Sequence, residues 1–202
     1  MEIIMGKLVF ASSNKGKIKE IRQLLEPQGI TVLTLSDIGF TAEIAETGNT
    51  FEENARIKAS EICRVSGLPA VSDDSGICID ALDGAPGVLS ARYLGEDTPY
   101  EVKNRMVLEQ LVDVPDAKRT ARYECCVCCV FPDGSEIVTH GTCEGVLAHE
   151  PKGENGFGYD PIFMVGDKTM AQLTDDEKNS ISHRAKAVAA FVLELKRKLS
   201  SH

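Results

Sequence analysis

The chain has 202 residues, 43% of them hydrophobic, enough for one large domain or two tightly joined lobes with a substantial core. Its 22 Lys and Arg stand against 31 Asp and Glu, a formal net charge of -9, which excludes a protein that binds duplex nucleic acid by neutralising phosphates. No run approaches the ~18 apolar residues of a spanning helix, and Met1 to Lys7 carries no basic segment followed by a long apolar one. A soluble cytoplasmic protein is expected, with neither nucleic acid nor a membrane as partner.

Leu8 to Ala11 reads as a buried first strand. Ser12 to Lys17 leads into a helix with apolar residues at Ile18, Ile21, Leu24 and Leu25, and Gly29 stops it in the position of a C-terminal cap. A second strand is expected from Thr31 to Leu35. Thr50-Phe51-Glu52-Glu53 offers a capping box that opens a helix whose apolar face includes Phe51, Ala55, Ala59, Ile62 and Cys63. Leu68 to Val71 is a short apolar strand, Ser72-Asp73-Asp74-Ser75 is read as its end, Gly76 permits a turn, and Ile77 to Asp80 alternates as a half-buried strand. After the loop Asp83 to Gly87, Thr98-Pro99 begins a helix through Val102, Met106 and Leu111, with Pro in the first turn. Strands at about Thr120 to Phe131 and Glu136 to His140, joined by Pro132-Asp133-Gly134, predict an antiparallel hairpin. Gly153 to Gly158 forms a Gly-rich loop, and a final helix carries Val188, Phe191, Val192, Leu195 and Leu199 on one face. Without repeat or linker, the pattern is one α/β domain over residues 1–202 with an inserted helical and hairpin lobe.

Vicinal acids Asp73 and Asp74 beside Ser75 suit a divalent metal and a base, although a solvated turn that caps its own backbone uses the same residues. Glu46 is a third acid on a separate segment, and a surface loop position fits it equally. Ser12-Ser13-Asn14-Lys15-Gly16-Lys17, between a strand and a helix N-terminus, is a sensible phosphate cradle, since free N–H groups and the helix dipole face the anion. It is not a P-loop, because Ala11 and Ile18 stand where that pattern needs Gly and Ser or Thr. Lys58 lies on the polar side of its helix, within reach of a phosphate or simply solvated. Phe157, between Gly156 and Gly158 with Asp160 three residues on, offers a shelf for a nucleobase or a packing ring. Ser182-His183-Arg184, after Lys178, gathers a hydroxyl, an imidazole and a guanidinium at a helix start.

Seven cysteines, an odd count in a chain without a signal peptide, fit reduced thiols better than a disulfide framework. Cys125-Cys126-Val127-Cys128-Cys129 lies in a strand pattern that sends alternate thiols to opposite faces. The run therefore cannot converge on one tetrahedral metal, and buried structural cysteines are expected.

Taken in one order along the chain, these motifs closely resemble the inosine triphosphate pyrophosphatase family, hydrolases that cleanse the nucleotide pool of non-standard purine triphosphates. The resemblance runs through Ser12 to Lys17, Thr50 to Ala55, Asp73-Asp74-Ser75-Gly76, Gly84 to Tyr93, Gly156 to Phe163 and Ser182-His183-Arg184. It implies an α/β fold of two lobes around a long mixed sheet with flanking helices, a nucleotide cleft between the lobes, and a homodimer. It implies hydrolysis of ITP, dITP or XTP to the monophosphate and pyrophosphate, assisted by Mg²⁺. By the same resemblance Asp74 is the general base and a metal ligand with Glu46. Substrate contacts fall to Ser12, Ser13, Asn14, Lys15, Gly16, Lys17, Lys58, Ser75, Arg92, Phe157, Gly158, Tyr159, Asp160, Lys178, His183 and Arg184. The chain departs from the family pattern at Ser12-Ser13, at Ala45 beside Glu46, and at Ala185. A related family that hydrolyses pyrimidine triphosphates and a regulator that binds without hydrolysis are the rival readings.

Overall fold

A computed structural model describes residues 6–200. Seven strands form one mixed sheet in the order β2-β1-β3-β4-β5-β6-β7. They are β1 (Lys7–Phe10), β2 (Thr31–Leu33), β3 (Ala70–Ile79), β4 (Thr120–Val130), β5 (Glu136–Leu147), β6 (Phe163–Val165) and β7 (Lys168–Thr169). The helices are α1 (Lys15–Leu25), α2 (Phe51–Ser66), α3 (Tyr100–Gln110), α4 (Asp175–Ile181) and α5 (His183–Ser200). β1 pairs in parallel with β2 and β3, whereas β5, β6 and β7 run antiparallel. The α/β expectation holds. Among the described residues no helix is long and apolar enough to cross a membrane.

The chain divides into two compact units. One takes residues 1–74, 125–141 and 184–202, and the other residues 75–124 and 142–183. In the first, strand alternation builds two apolar layers. Leu8, Phe10, Val71, Cys125, Val127 and Cys129 pack with Ile21 and Leu25 of α1 and Val188 and Phe191 of α5. On the opposite side Val9, Ala11 and Ala70 meet Ile62 and Cys63 of α2, and Cys126 and Cys128 meet Ala55 and Ala59. The cysteine run is thus split between two faces by the period-two geometry of a strand. All seven thiols are free and buried. The second unit centres on Ile77, Ile79, Val107, Leu111, Tyr123, Tyr159 and Phe163.

Several local expectations change. The stretch Ser72 to Gly76 is neither a strand end nor a turn but the middle of the ten-residue β3. Its two carboxylates remain in a strand because buried cations meet them. Thr50 caps α2 by accepting from the Glu53 N–H at 3.1 Å, but Glu53 reaches back to the Asn49 N–H at 2.6 Å, so the reciprocal bond falls one residue earlier than a capping box requires. Pro99 is the cap residue of α3 rather than its first helical one. α1 ends at Leu25, and Gly29 closes a following 3-10 turn with φ +79°. β2 stops at Leu33, two residues early, while β5 continues past His140 to Leu147.

Candidate active site

In the first unit the site is a buried ionic cluster. Asp73 and Asp74 are adjacent in β3, so the pleat points them to opposite faces, and the two carboxylates meet different neighbours. Asp73 Oδ2 accepts from Arg184 Nε at 3.0 Å and Nη2 at 2.9 Å and lies 3.2 Å from Lys17 Nζ. Arg184 also pairs with Glu20 of α1 through Nη1. Asp73 is fully buried and Arg184 is 1% exposed. Burial alone would raise the Asp73 pKa, but Lys17, Arg184 and Lys58 outweigh it and hold the carboxyl well below the usual carboxylate range.

Asp74 sees less positive charge. Its Oδ1 accepts from Lys58 Nζ at 3.2 Å and its Oδ2 from Asn54 Nδ2 at 3.2 Å. Burial raises its pKa, Glu46 and Asp73 add to the rise, and Lys58 and Lys17 offset only part of it. Adjacent acids therefore have opposite environments, one held ionised by a guanidinium and the other poised to take a proton. Lys58 Nζ lies 2.7 Å from Glu46 Oε1 as well, so one ammonium bridges Glu46 and Asp74. Lys58 is buried, not a solvated lysine on a polar face.

The phosphate loop lies at the start of α1. Asn14 Oδ1 accepts from the Lys17 N–H at 3.0 Å and Ser12 Oγ from the Asn14 N–H at 3.2 Å, leaving Ser13, Asn14 and Lys15 exposed. Exposed polar groups at a helix N-terminus can receive an anion without first breaking a core.

In the second unit, Asp160 organises the Gly-rich loop. Its Oδ2 accepts from the Phe157 N–H at 2.9 Å and from Lys178 Nζ at 2.6 Å, and its Oδ1 from Tyr123 Oη at 3.3 Å. Lys178 Nζ sits 4.9 Å from the Phe157 ring centre. Gly156 has φ +72°, and a Cβ there would collide with Asp160 Oδ2, so the turn requires glycine. Tyr123 stacks on His183 at 4.6 Å between ring centres, with 9° between planes. Tyr159 is buried with its hydroxyl on the Ser90 carbonyl at 2.9 Å, and Asn104 of α3 donates to the Gly158 carbonyl at 3.1 Å. Phe157, Gly158 and Ser75 are half-buried, and Arg92 is exposed.

Arg184 pairs with Asp73 and Glu20 within the first unit, and Asp160 bonds its own loop, Lys178 and Tyr123. Four residues with clear parts in these clusters escape sequence reasoning. Glu20 left a trace, since it follows Lys17 by three residues and so shares its helix face. Asn54 left one too, a polar residue beside Ala55 on the apolar side of α2. Tyr123 and Asn104 carry no local signal, because strand alternation and helix periodicity say only that they face inward.

The sequence profile of the Ham1 family matches residues 8–194. The dITP/XTP pyrophosphatase of Bacillus subtilis (strain 168) is 49% identical over 188 residues, covering 92% of this chain and 95% of that protein. That of Geobacter sulfurreducens is 46% identical over 187 residues, with 92% and 94% covered. Among solved structures, a HAM1 protein from Coxiella burnetii superposes with a TM-score of 0.85 at 40% identity, covering 96% of this chain and all of that one. The Staphylococcus aureus Ham1 protein gives 0.84 at 38% identity, over 95% and 99% of the two chains.

Proposed function

This chain belongs to the Ham1 family, and we propose that it hydrolyses non-standard purine nucleoside triphosphates, ITP, dITP and XTP, to the monophosphate and pyrophosphate. The observation that carries this reading is the contrast between Asp73 and Asp74. A buried strand holds one carboxylate saturated by cations and, next to it, a second whose pKa is raised and which shares an ammonium with Glu46.

Asp74 orients a water and takes its proton as the water oxygen bonds to the α-phosphorus. The bond from that phosphorus to the bridging oxygen breaks, and pyrophosphate leaves. The loop Ser12 to Lys17, exposed at Ser13, Asn14 and Lys15, receives the phosphate chain through backbone N–H groups and lysine charge. Asp74 and Glu46 are hard oxygen donors that converge on one cation, the Lys58 ammonium, and this oxygen-only donor set supports the reading that they would hold Mg²⁺. When bound, the ion supplies charge to the phosphate oxygens. Arg184 and Lys17 act through Asp73, fixing β3 so that the Asp74 carboxyl keeps its direction.

The Phe157 loop supplies a face for the base, with Ser75, Gly158, Lys178 and His183 as further contacts. Assembly as a homodimer and a cytoplasmic place of work complete the reading; free, buried thiols suit a reducing compartment. The test is pyrophosphate release across a panel of triphosphates with magnesium. Release of pyrophosphate from dITP and XTP at rates far above ATP and GTP is expected, whereas release of orthophosphate, or binding without turnover, would overturn the assignment.

A further inference from the structure

Away from the acidic pair of β3, the first unit brings together three side chains of different metal-ligand chemistry. Glu52 is the second residue of α2, Cys126 lies in β4 and His140 in β5. One ligand atom from each lies within 4.8 Å of the other two. Strand geometry explains the meeting. Cys126 and Cys128 face α2 with Ala55, Ala59 and Val138, and His140, two residues beyond Val138, keeps that face. Glu52, one turn before Ala55 and Arg56, then overhangs the same corner, with Oε2 at 3.3 Å from His140 Nε2.

We propose that Glu52, Cys126 and His140 form a zinc site separate from the proposed magnesium site. A thiolate, an imidazole and a carboxylate suit a borderline-soft ion such as Zn²⁺, whereas Mg²⁺ prefers oxygen alone. Tetrahedral bonds of about 2.0–2.3 Å place ligand atoms roughly 3.3–3.8 Å apart, so the present spacing closes by small side-chain rotations. Binding forms the zinc–sulfur bond and sends the thiol proton to solvent. Cys126 is fully buried and forms the floor, while the His140 side chain, 62% exposed, leaves a fourth position open to water.

The nearest competing cation is Arg56, and its charge is already matched. Its Nε and Nη2 lie 3.0 and 3.3 Å from the Glu136 carboxylate, and Nη2 donates to Glu52 Oε1 at 2.8 Å. That leaves Glu52 Oε2 turned toward His140. Counting Glu52, Glu136, the Cys126 thiolate and Arg56, the corner carries two net negative charges, the number a divalent ion neutralises.

The experiment titrates Co²⁺, then Zn²⁺, into the metal-stripped full chain in excess magnesium, which occupies hard-oxygen sites. One equivalent of Co²⁺ is expected to give a thiolate-to-cobalt charge-transfer band in the near ultraviolet, and Zn²⁺ to erase it. Cys126→Val should abolish the band, Cys128→Ser should leave it intact, and His140→Ala, at an exposed position that the fold tolerates, should weaken Zn²⁺ binding by at least ~100-fold. Absence of the band, its survival in Cys126→Val, its loss in Cys128→Ser, or unchanged affinity in His140→Ala would overturn the site. None of these readouts depends on triphosphate hydrolysis, so the site and the proposed activity stand or fall separately.

Discussion

Arg184 closes two hydrogen bonds, from Nε at 3.0 Å and Nη2 at 2.9 Å, on the single oxygen Oδ2 of Asp73, 111 residues away in sequence. The pair ties the start of α5 to the middle of β3. Removing one partner strands the other charge in the core, and that penalty is ~3–5 kcal/mol. Asp73→Asn and Arg184→Met should each lower the melting temperature sharply, and a double variant should lose less than the sum. Simple additivity in thermal unfolding would mean the two do not act as a unit.

The same pair has a pH signature. Asp73 has a folded pKa below its ordinary 3.8, so the folded state holds the ionised form more tightly than the unfolded chain does. Its stabilisation is complete above about 3.8 and is lost as pH falls below that value toward the folded pKa. Acid unfolding of the unaltered protein should therefore steepen below that point, and Asp73→Asn should flatten the profile there.

Asp74→Asn should cut turnover by at least ~10²-fold with the fold intact, as loss of a general base does. Circular dichroism and melting temperature check the fold, pyrophosphate release the chemistry. Near-normal turnover would remove Asp74 from the mechanism.

Lys58 lowers the Asp74 pKa, whereas burial and Glu46 raise it. Lys58→Met should therefore push the acidic limb of kcat/KM to higher pH, since more alkaline solution is then needed to leave Asp74 as the base. A limb that stays where it was would assign it to another group. In the unaltered protein, excess chelator should abolish activity and added magnesium restore it.

Selectivity for ITP over ATP should reach ~10⁴-fold, because donors that meet a 6-oxygen are left unpaired against an amino group. His183→Ala should narrow that ratio. Arg184→Ala should act through stability as well, because its guanidinium pairs with Asp73 and Glu20 in the core. Steady-state rates on both substrates, alongside melting curves, separate the two effects.

The cysteines should be dispensable for hydrolysis. Burial pushes the Cys128 thiol up to about 12, far from a reactive thiolate at neutral pH. Cys128→Ser should retain turnover, and loss of activity in a stable variant would reopen a thiol role.

Much of the framework is local in origin and so was legible. Leu8 to Ala11 follows from an unbroken apolar run buried on both faces, and the α2 face from Ala55 to Cys63 and the α5 face from Val188 to Leu195 follow from periodicity, because burial acts on every third and fourth helix residue. The split of the Cys125 to Cys129 run follows from strand alternation. The course of Ser72 to Gly76 was not. Two carboxylates in an apolar strand are unfavourable on local grounds, which favours a turn, and only Lys17, Lys58 and Arg184, drawn from three different helices, reverse that balance. Sequence determined which residues carry charge and which elements bear them. Tertiary structure alone decided that Arg184 answers Asp73, that Lys58 joins Glu46 to Asp74 and that His140 meets Cys126, because Coulomb energy and desolvation depend on distance in space and not along the chain.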